Sequence, residues 1–300
     1  MPPIASSNFP ELLWPGLADL YGTAYNQWPE LFSQYMDIKY SDKRFEKVQG
    51  VTGLPLAAIK TEGSQVSYVD PMQGFQTEYV METFAIGCVV TMEMYDDEQY
   101  GYINQLPELL ARSMRQSQET DAANIINRAF SASFTGSDGV SLCSASHVLV
   151  NGGTFRNQLA TAADLDQTSL EIALQDVKSQ FVDDQGLKML VRPTTLLVSP
   201  AFMFRAVKLL SSGQVTGSAD NDMNPLVSLG IRLVVNPWLT DDDAWFIKTD
   251  IPNGLTFYWR MQPELSRDNE FDTKNLKMTT VGRWDTGWSD PRGIFGSPGA

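Results

Sequence analysis

The chain has 300 residues, 43% hydrophobic and 11% aromatic, so it can bury a substantial core and is not a disordered or fibrous protein. Its 36 acidic residues outnumber its 22 lysines and arginines, and the formal net charge of -14 opposes a protein whose main work is to grip nucleic-acid phosphates. Because Cys88 and Cys143 lie far apart and no export signal is visible at the start, we expect folding in a reducing cytoplasm.

The first 39 residues are predicted to form an N-terminal arm. They hold no basic residue before Lys39 and are rich in large apolar side chains. Two interpretations are open: the segment is a helical edge of the chain's own core, or it packs on a neighbouring subunit. In the second interpretation Trp14 and Trp28 are the candidate anchors.

Residues 40–92 change to a β pattern. Strands are predicted at 45–48 and 66–69, and apolar residues alternate from 75 to 90. Unbroken, this last segment would reach about 50 Å at ~3.3 Å per residue, which is far longer than an ordinary strand. We expect it to be broken or to lie in a projecting hairpin, and such a hairpin needs an external partner to cover it.

A long helix is predicted over 104–129. Asn104 is placed to cap it, Pro107 falls in the predicted first turn, and apolar residues recur at helical spacing. The middle of the apolar stripe is polar, so we expect the helix to contact different partners along its length. The polar residues there are Ser113, Gln116, Ser117, Thr120 and Asp121.

The remainder mixes helices and strands without regular alternation, which favours an α+β fold over a doubly wound parallel sheet. A helix is predicted over 165–182, with a capping box between Thr168 and Glu171, and a short helix follows Ser199. A break is predicted at Gln262 and Pro263. The predicted strands are 195–198, 229–235, 244–248, 256–259 and 276–284.

No motif for catalysis, metal binding or a cofactor is present. His147 is the only histidine and lies beside no GxSxG element, so it is interpreted as a loop or interface residue and not as a general base. The run 220–224 lacks the glycine and glutamate of a calcium loop, and 241–243 is interpreted as a turn. We therefore predict no catalytic, metal or cofactor-binding residue.

Several stretches, taken in order and spacing, resemble the major capsid proteins of tailed bacteriophages, specifically the Mu-like major head subunit group. No single stretch is diagnostic, but together they cover most of the chain. They are Gly74 with Phe75, GCVVTMEM (87–94), DEQYG (97–101), LCSASH (142–147), RPT (192–194), VSP (198–200), ADND (219–222), VVNPWLTD (234–241), DNEFDT (268–273), GWSD (287–290), RG (292–293) and FGSPG (295–299).

The resemblance implies the Hong Kong 97-type capsid fold. Its parts would be an N-terminal arm (1–39), an extended β-hairpin called the E-loop with its flanking strands (40–92), a peripheral domain (93–190) with a spine helix (103–130), an axial domain (191–262) and a return to the peripheral domain (263–300). It also implies a non-enzymatic virion subunit, without cofactor or membrane, that forms hexamers and pentamers of an icosahedral head around double-stranded DNA.

Partners and contacts follow as expectations from the same resemblance. The chain carries no long charged helical prefix, so scaffolding would be a separate protein; a portal and a decoration protein are further partners, and assembly would take place in the host bacterial cytoplasm. The candidate subunit contacts are Arg44, Lys60 and Glu62 in the E-loop, Trp14 and Trp28 in the arm, and Arg283, Trp284 and Arg292 in the peripheral domain. The alternatives are a tail-tube or ring component, or a hydrolase that uses acidic residues.

Overall fold

The computed structural model describes residues 10–300 except 92, 95–96, 98–100, 215–222, 271 and 274, and only the backbone of 10–15 and 102. The α-helices are α1 (Pro10–Gln27), α2 (Tyr102–Asn127), α3 (Gln167–Gln180) and α4 (Met203–Ser211). The strands are β1 (Asp37–Tyr40), β2 (Phe45–Val51), β3 (Gln73–Val80), β4 (Glu82–Val90), β5 (His147–Val148), β6 (Thr154–Phe155), β7 (Pro193–Val198), β8 (Arg232–Val235), β9 (Trp245–Thr249), β10 (Leu255–Asn269), β11 (Leu276–Trp288) and β12 (Ile294–Ser297).

The first sheet has the strand order β1-β10-β11-β4, with β1 parallel to β10 and the other pairs antiparallel. Helix α2 packs on this sheet, and the buried side chains between them include Met114, Ile126, Phe257 and Trp284. Trp284 is fully buried, lies parallel to the ring of Phe84 at 4.0 Å between centroids, and donates from Nε1 to Asp121 at 3.1 Å. Aromatic stacking thus joins β4 to β11, and the indole hydrogen bond joins β11 to α2.

The second sheet has the order β12-β9-β7-β8, with α3 and α4 on one face. In the central strand β7, Leu196 and Val198 belong to the core beneath these helices, whereas Leu197 belongs to the core beneath α2. The sheet is therefore buried on both faces. This explains why 195–198 is a continuous apolar run without alternation.

The hairpin formed by β2 and β3 leaves the edge of this body. The predicted segment 75–90 is broken at Met81: β3 pairs with β2, and β4 joins the first sheet beside β11. We call residues 45–80 the projecting hairpin and residues 54–72 its tip. The expected break is present, and every residue of the tip is exposed in the described chain.

Helix α2 begins earlier than predicted. It starts at Tyr102 after Gly101, whose φ of 68° is a left-handed conformation that glycine adopts without strain. Asn104 is therefore inside the helix and not its cap, and Pro107 lies beyond the first turn. Helix α3 is likewise capped by Asp166 and Ser169, which form a reciprocal capping box, and not by Thr168 with Glu171.

Two strand predictions are wrong. Residues 66–69 form no strand, because no other part of the described chain lies beneath them to bury the alternate side chains. The break predicted at Gln262 and Pro263 lies inside β10, which continues to Asn269. The pairing of β10 with β11 shifts register between Met261 and Glu264, and this irregularity accommodates the proline.

Residues 263–300 contribute to both sheets. β11 lies in the first sheet, and β12 forms the edge of the second sheet by pairing with β9. Strand β10 begins at Leu255 in the first sheet, and the domain bounds at 262 and 263 stay predictions. A close backbone contact ties the C-terminal segment down: a Cβ added to Gly293 would lie 2.3 Å from Cα of Gly254. Only glycine fits there.

The burial of Trp284 predicts the largest stability loss among the tryptophans named above. Truncation of a large, fully buried aromatic side chain costs about 3–5 kcal/mol. We therefore expect Trp284→Ala to lower the unfolding free energy of the soluble subunit by that amount, measured by urea denaturation with circular dichroism. Trp28→Ala is the control, because Trp28 is 42% exposed and loses only a contact with Arg112 worth about 1 kcal/mol or less. Equal losses in the two variants would contradict this placement.

Candidate assembly surfaces

The tip of the projecting hairpin is the most exposed apolar part of the described chain. Every residue from 54 to 72 is exposed, and Ile59 and Tyr68 are 96% and 92% exposed. The large apolar side chains there are Leu54, Leu56, Ile59, Val66, Tyr68, Val69 and Met72. Soluble monomers seldom present so many apolar side chains together, and a cluster of this kind indicates a surface that becomes covered.

The charged residues predicted for this hairpin lie where a neighbour could reach them. Within the described residues, the side chains of Arg44, Lys60 and Glu62 form no hydrogen bond or ion pair. The strands below the tip do carry one such pair, between Lys47 and Glu78 at 3.2 Å. Exposed pairs of this kind contribute less than about 1 kcal/mol, so the tip charges serve specificity more than affinity.

The base of the hairpin is held firmly although its tip is not covered. Tyr79 is 2% exposed, packs on the ring of Tyr258 at 4.7 Å between centroids, and shares a hydrogen bond of 2.7 Å with Ser289. Arg44 accepts a backbone hydrogen bond from Met81 at 3.1 Å. Burial raises the pKa of the Tyr79 hydroxyl, so this group stays protonated. The hairpin therefore leaves the body in a fixed direction.

The carboxylate of Asp285 makes a second contact at the hairpin base, with the backbone N–H of Val80. The pKa of Asp285 is raised to about 7. Burial is the largest cause, the backbone N–H groups of Thr286 and Val80 lower the pKa, and the nearby Asp121 and Glu82 add to the increase. Burial also raises the pKa of Asp121, whose Oδ2 accepts from Trp284 and Thr286. Three acidic residues thus meet where β3, β4 and β11 come together.

The N-terminal arm packs on its own chain in the described region, which is the first of the two interpretations. Leu17, Tyr21 and Ala24 of α1 are buried against α2 and the first sheet. The Tyr21 hydroxyl shares a hydrogen bond of 2.6 Å with Thr280. Trp28 lies on the guanidinium of Arg112 at 5.0 Å and stays partly exposed, whereas the side chain of Trp14 lies outside the described residues.

A buried polar cluster on α2 fixes the end of this arm. Oε1 and Oε2 of Glu119 accept the backbone N–H groups of Leu31 and Phe32 at 2.7 and 3.1 Å. The pKa of Glu119 is raised to about 7, because the effect of burial exceeds the lowering by these two donors. Beside it, Arg115 pairs with Glu30 at 2.7 Å. From the polar middle of α2, the sequence analysis predicted that this helix contacts different partners along its length. It did not identify the end of the N-terminal arm as one of them.

Two residues predicted as subunit contacts are buried in the single chain. Trp284 is fully buried under α2, and Arg292 is 5% exposed, with Asp184 at 2.8 Å and Asp290 at 3.2 Å from its guanidinium nitrogens. Their role as contacts stays a prediction that this burial does not favour. Arg283 is half-buried, with Nη2 at 3.4 Å from the carbonyl of Met81, and is the one of the three that reaches the surface.

Helix α4 presents a further surface that the sequence did not suggest. Its inner side chains Ala206 and Leu209 are buried, and its outer face exposes Phe204 at 74% together with Arg205 and Lys208. Only the amphipathic spacing of this short helix could have indicated the surface. A cleft of about 610 Å³ lies between this face and the start of α3, where Asp166 and Glu171 supply negative charge.

The described structure places the single histidine in the core. His147 is fully buried, not exposed on a loop or an interface, and its ring nitrogens face Asp138 and Asn157 and no serine hydroxyl. No group of three or more potential metal ligands occurs there, and none of the helices is apolar and long enough to span a membrane. Residues 241–243 form an exposed bend as predicted, and 220–222 lie outside the described residues.

Comparisons with known proteins agree with this picture. A sequence model of a phage capsid protein family matches residues 74–296, which is most of the chain. A search of curated proteins finds no match. The structure is similar to the virus-like particle protein of Pyrococcus furiosus, with a TM-score of 0.56, 11% identity, and coverage of 94% of this chain and 98% of that chain.

Two capsid structures are similar to the same degree. The capsid of a native GTA particle has a TM-score of 0.58 at 11% identity, over 89% of this chain and 90% of that chain. The mature capsid of bacteriophage PhiM1 has a TM-score of 0.56 at 11% identity, over 90% and 87%. At these identities the likeness shows a shared fold, and it confirms the predicted Hong Kong 97-type architecture.

The raised pKa of Asp285 predicts a pH dependence of stability. An unfolded aspartate releases its proton near pH ~3.9, whereas the folded chain holds it up to about pH 7. The contribution of the neutral form is therefore complete in acid and is lost as the pH rises through about 7. We expect Asp285→Asn, neutral at every pH, to reduce the fall in melting temperature between pH 5 and pH 8 by about 2–4 °C.

The matched control for this measurement is Asp242→Asn, which removes an exposed carboxylate that forms no hydrogen bond or ion pair in the described chain and keeps the backbone carbonyl that accepts from Ser199. Differential scanning fluorimetry of the three proteins over the same buffers gives the comparison. If the curve of Asp285→Asn runs parallel to that of the unchanged chain, Asp285 does not hold its proton in the folded protein.

Proposed function

Because the chain belongs to the phage capsid protein family whose sequence model matches residues 74–296, we propose that it is the major capsid protein that closes an icosahedral head. Copies would associate as hexamers and pentamers. The observation that supports this best is the projecting hairpin, whose base is fixed to the body while its apolar tip has no cover within the described chain. A second copy is the partner that supplies that cover.

The energy of such a contact is sufficient to matter. Full burial of one large apolar side chain contributes about 1.5–3 kcal/mol, so the apolar side chains of the tip together could contribute roughly 10 kcal/mol per subunit. Repulsion between acidic copies acts through water and salt with a screening length of about 8 Å at physiological ionic strength. Short-range burial therefore outweighs long-range repulsion at the contact itself.

The charged hairpin residues would set register within this contact. The side chains of Arg44, Lys60 and Glu62 form no hydrogen bond or ion pair in the described chain and are free to pair with a neighbour. Trp28 and Arg283 are the remaining predicted contacts with accessible atoms. Paired charges at a contact between copies contribute little affinity, but they disfavour misaligned neighbours.

The acidic composition fits a shell around double-stranded DNA. A formal charge of -14 per subunit gives few cationic sites to hold phosphates, so DNA can move during packaging and release. We propose a non-enzymatic virion component, assembled in the host bacterial cytoplasm with a separate scaffolding protein, a portal and a decoration protein. Its placement in the Mu-like group stays a prediction.

The competing structural role is a tail-tube or ring component, which would use the same apolar hairpin in open assemblies. Negative-stain electron microscopy of the purified protein separates the two roles. We expect closed, faceted or round particles. Open tubes or isolated rings as the sole product would favour the competing role.

Removal of the apolar tip is expected to prevent assembly without unfolding the subunit. We expect the triple variant Leu56→Ser, Ile59→Ser and Tyr68→Ser to remain soluble and folded, since these side chains are exposed in the single chain. Loss of several kcal/mol per contact should reduce the yield of closed shells at least about tenfold. Size-exclusion chromatography and electron microscopy measure that yield.

The control alters the same segment but keeps its apolar side chains: Ser64→Ala, Gln65→Ala and Ser67→Ala. This variant should assemble like the unchanged chain, because it removes only exposed polar groups. A normal yield of shells from the apolar triple variant would contradict the proposed role of the tip. Equal loss in both variants would indicate a conformational requirement of the segment instead of apolar burial.

A further inference from the structure

Strand β4 is an open edge of the first sheet. It pairs with β11 along its whole length without a register shift, and no strand among the described residues lies on its other side. Proteins protect such edges with prolines, lysines, bulges or very short strands. β4 has none of these features, and its one charged residue, Glu82, stands at its start. An unprotected edge of this length indicates a place where a further strand is added.

The exposed side chains of β4 are apolar or small on both of its faces. Ile86 is half-exposed and shares the face of Phe84, toward α2, because side chains alternate along a strand. Val89 is 57% exposed on the opposite face, and Gly87 beside it is exposed without a side chain. A strand placed along this edge would therefore bury apolar area on both faces.

The tip of the projecting hairpin contains a segment that matches this edge. Residues 66–69 have the alternation of a strand but form none in the single chain, where all four are exposed. In an extended conformation Val66 and Tyr68 lie on one face and Val69 lies on the other. The chain thus has a strand pattern without a sheet and a sheet edge without a strand.

We propose that residues 66–69 of one copy add to β4 of a second copy as an antiparallel strand, with Tyr68 opposite Gly87. This inference rests on the proposed function, because the shell supplies the second copy. Within one chain the hairpin already has a fixed place: a Cβ added to Gly53, near the far end of its paired strands, would lie 2.6 Å from Oδ2 of Asp183. Residues 66–69 remain exposed in that position.

This register pairs exposed apolar side chains on both faces of the added strand. Val66 lies opposite Val89 on the face away from α2, and Val69 lies opposite Ile86 on the other face. All four side chains are 40–57% exposed in the single chain. Cross-strand pairs of β-branched residues are the contacts that stabilise neighbouring strands, while the backbone hydrogen bonds of the edge supply affinity.

The glycine in β4 fixes the position of the aromatic residue. A Cβ added to Gly87 would lie 2.7 Å from Cγ2 of Thr279, so this position excludes a side chain and leaves bare backbone at the edge. An aromatic ring on the neighbouring strand covers such an edge glycine and stabilises the pairing. Tyr68, 92% exposed in the single chain, supplies that ring. A slip of one residue would move it to Ile86 or Cys88 and uncover the glycine.

Charge complementarity favours the same register. Asp70 would follow Tyr68 on the face away from α2, which is the face of Thr83 and of its partner Arg283 on β11. Nε of Arg283 is buried without a hydrogen-bond partner among the described residues, and its Nη2 lies 3.4 Å from the carbonyl oxygen of Met81. The added strand thus brings a carboxylate toward an incompletely paired guanidinium, and such attraction selects one alignment of the two copies.

The contact joins two different surfaces, the tip of one copy and the edge of the next. Contacts of this kind form closed rings when the rotation between copies closes and open filaments when it does not. Each copy can therefore give its tip to one neighbour and accept the tip of another, as the proposed hexamers and pentamers require.

The native Cys88 provides the test, because the proposed register places Ser67 opposite it. Such cross-strand pairs have Cβ atoms about 4.5–5.5 Å apart, close to the about 3.5–4.5 Å that a disulfide spans. Copper phenanthroline accepts the two electrons as two thiols lose their protons and form the bond. We expect oxidised Ser67→Cys to give disulfide-linked multimers on a non-reducing gel, and Ser67→Cys combined with Cys88→Ser to give none.

The matched control is Ser64→Cys, an equally exposed serine of the tip that would lie on the face away from Cys88. We expect it to give at least about tenfold less crosslinked product than Ser67→Cys. Equal crosslinking in the two variants would overturn the register, and so would multimers of Ser67→Cys that persist after Cys88→Ser.

Electron microscopy of the same samples separates this inference from the proposed function. Closed particles of Ser67→Cys that do not crosslink would overturn the strand pairing and leave the shell intact. Crosslinked multimers without closed particles would support the pairing and contradict the shell. The absence of both at high protein concentration would overturn both.

Discussion

The packing of α2 across the first sheet is the interaction on which the rest of the structure depends. Trp284 lies at its centre, stacked on Phe84 and edge-on to Trp259. Phe84 belongs to β4, which continues directly from the hairpin strand β3 after Met81. The aromatic cluster that stabilises the body therefore also sets the direction in which the hairpin leaves it. A rigid body with a protruding apolar element is suited to association with copies of itself.

The sequence predicted α2 and α3 well from their apolar periodicity, and β7, β8 and β9 from short apolar runs, but it did not predict β12. Helix caps were missed because adjacent polar residues fit the same pattern; both Thr168 with Glu171 and Asp166 with Ser169 satisfy a capping box, and tertiary packing selects the latter. The strand expected at 66–69 failed for a different reason. Alternation predicts a strand only where one face is buried, and nothing in the described chain covers this one.

The candidate surfaces were predicted as segments more reliably than as residues. The hairpin was expected, but the predicted contacts were charged residues and tryptophans, whereas Ile59 and Tyr68 are the most exposed large apolar side chains of the described chain. Arg292 illustrates why: whether an arginine is buried depends on carboxylates distant in sequence, here Asp184. The same holds for Asn157, whose amide joins the 142–144 loop to the carbonyl of Pro291. Sequence spacing contains no signal for such contacts.

Burial of the tip is necessary for the proposed shell but is not sufficient by itself. Ordering the projecting hairpin at such a contact has a conformational-entropy cost that offsets part of the gain from burying its apolar tip. Two features reduce or offset that cost. The paired strands β2 and β3 are held at their base through Tyr79, so only the tip has to be ordered, and the outer face of α4 offers a second apolar surface around Phe204. Closed assembly then requires several contacts of moderate strength per subunit acting together. Because each contact is moderate, a misplaced subunit can dissociate and be replaced until its neighbours are correctly placed.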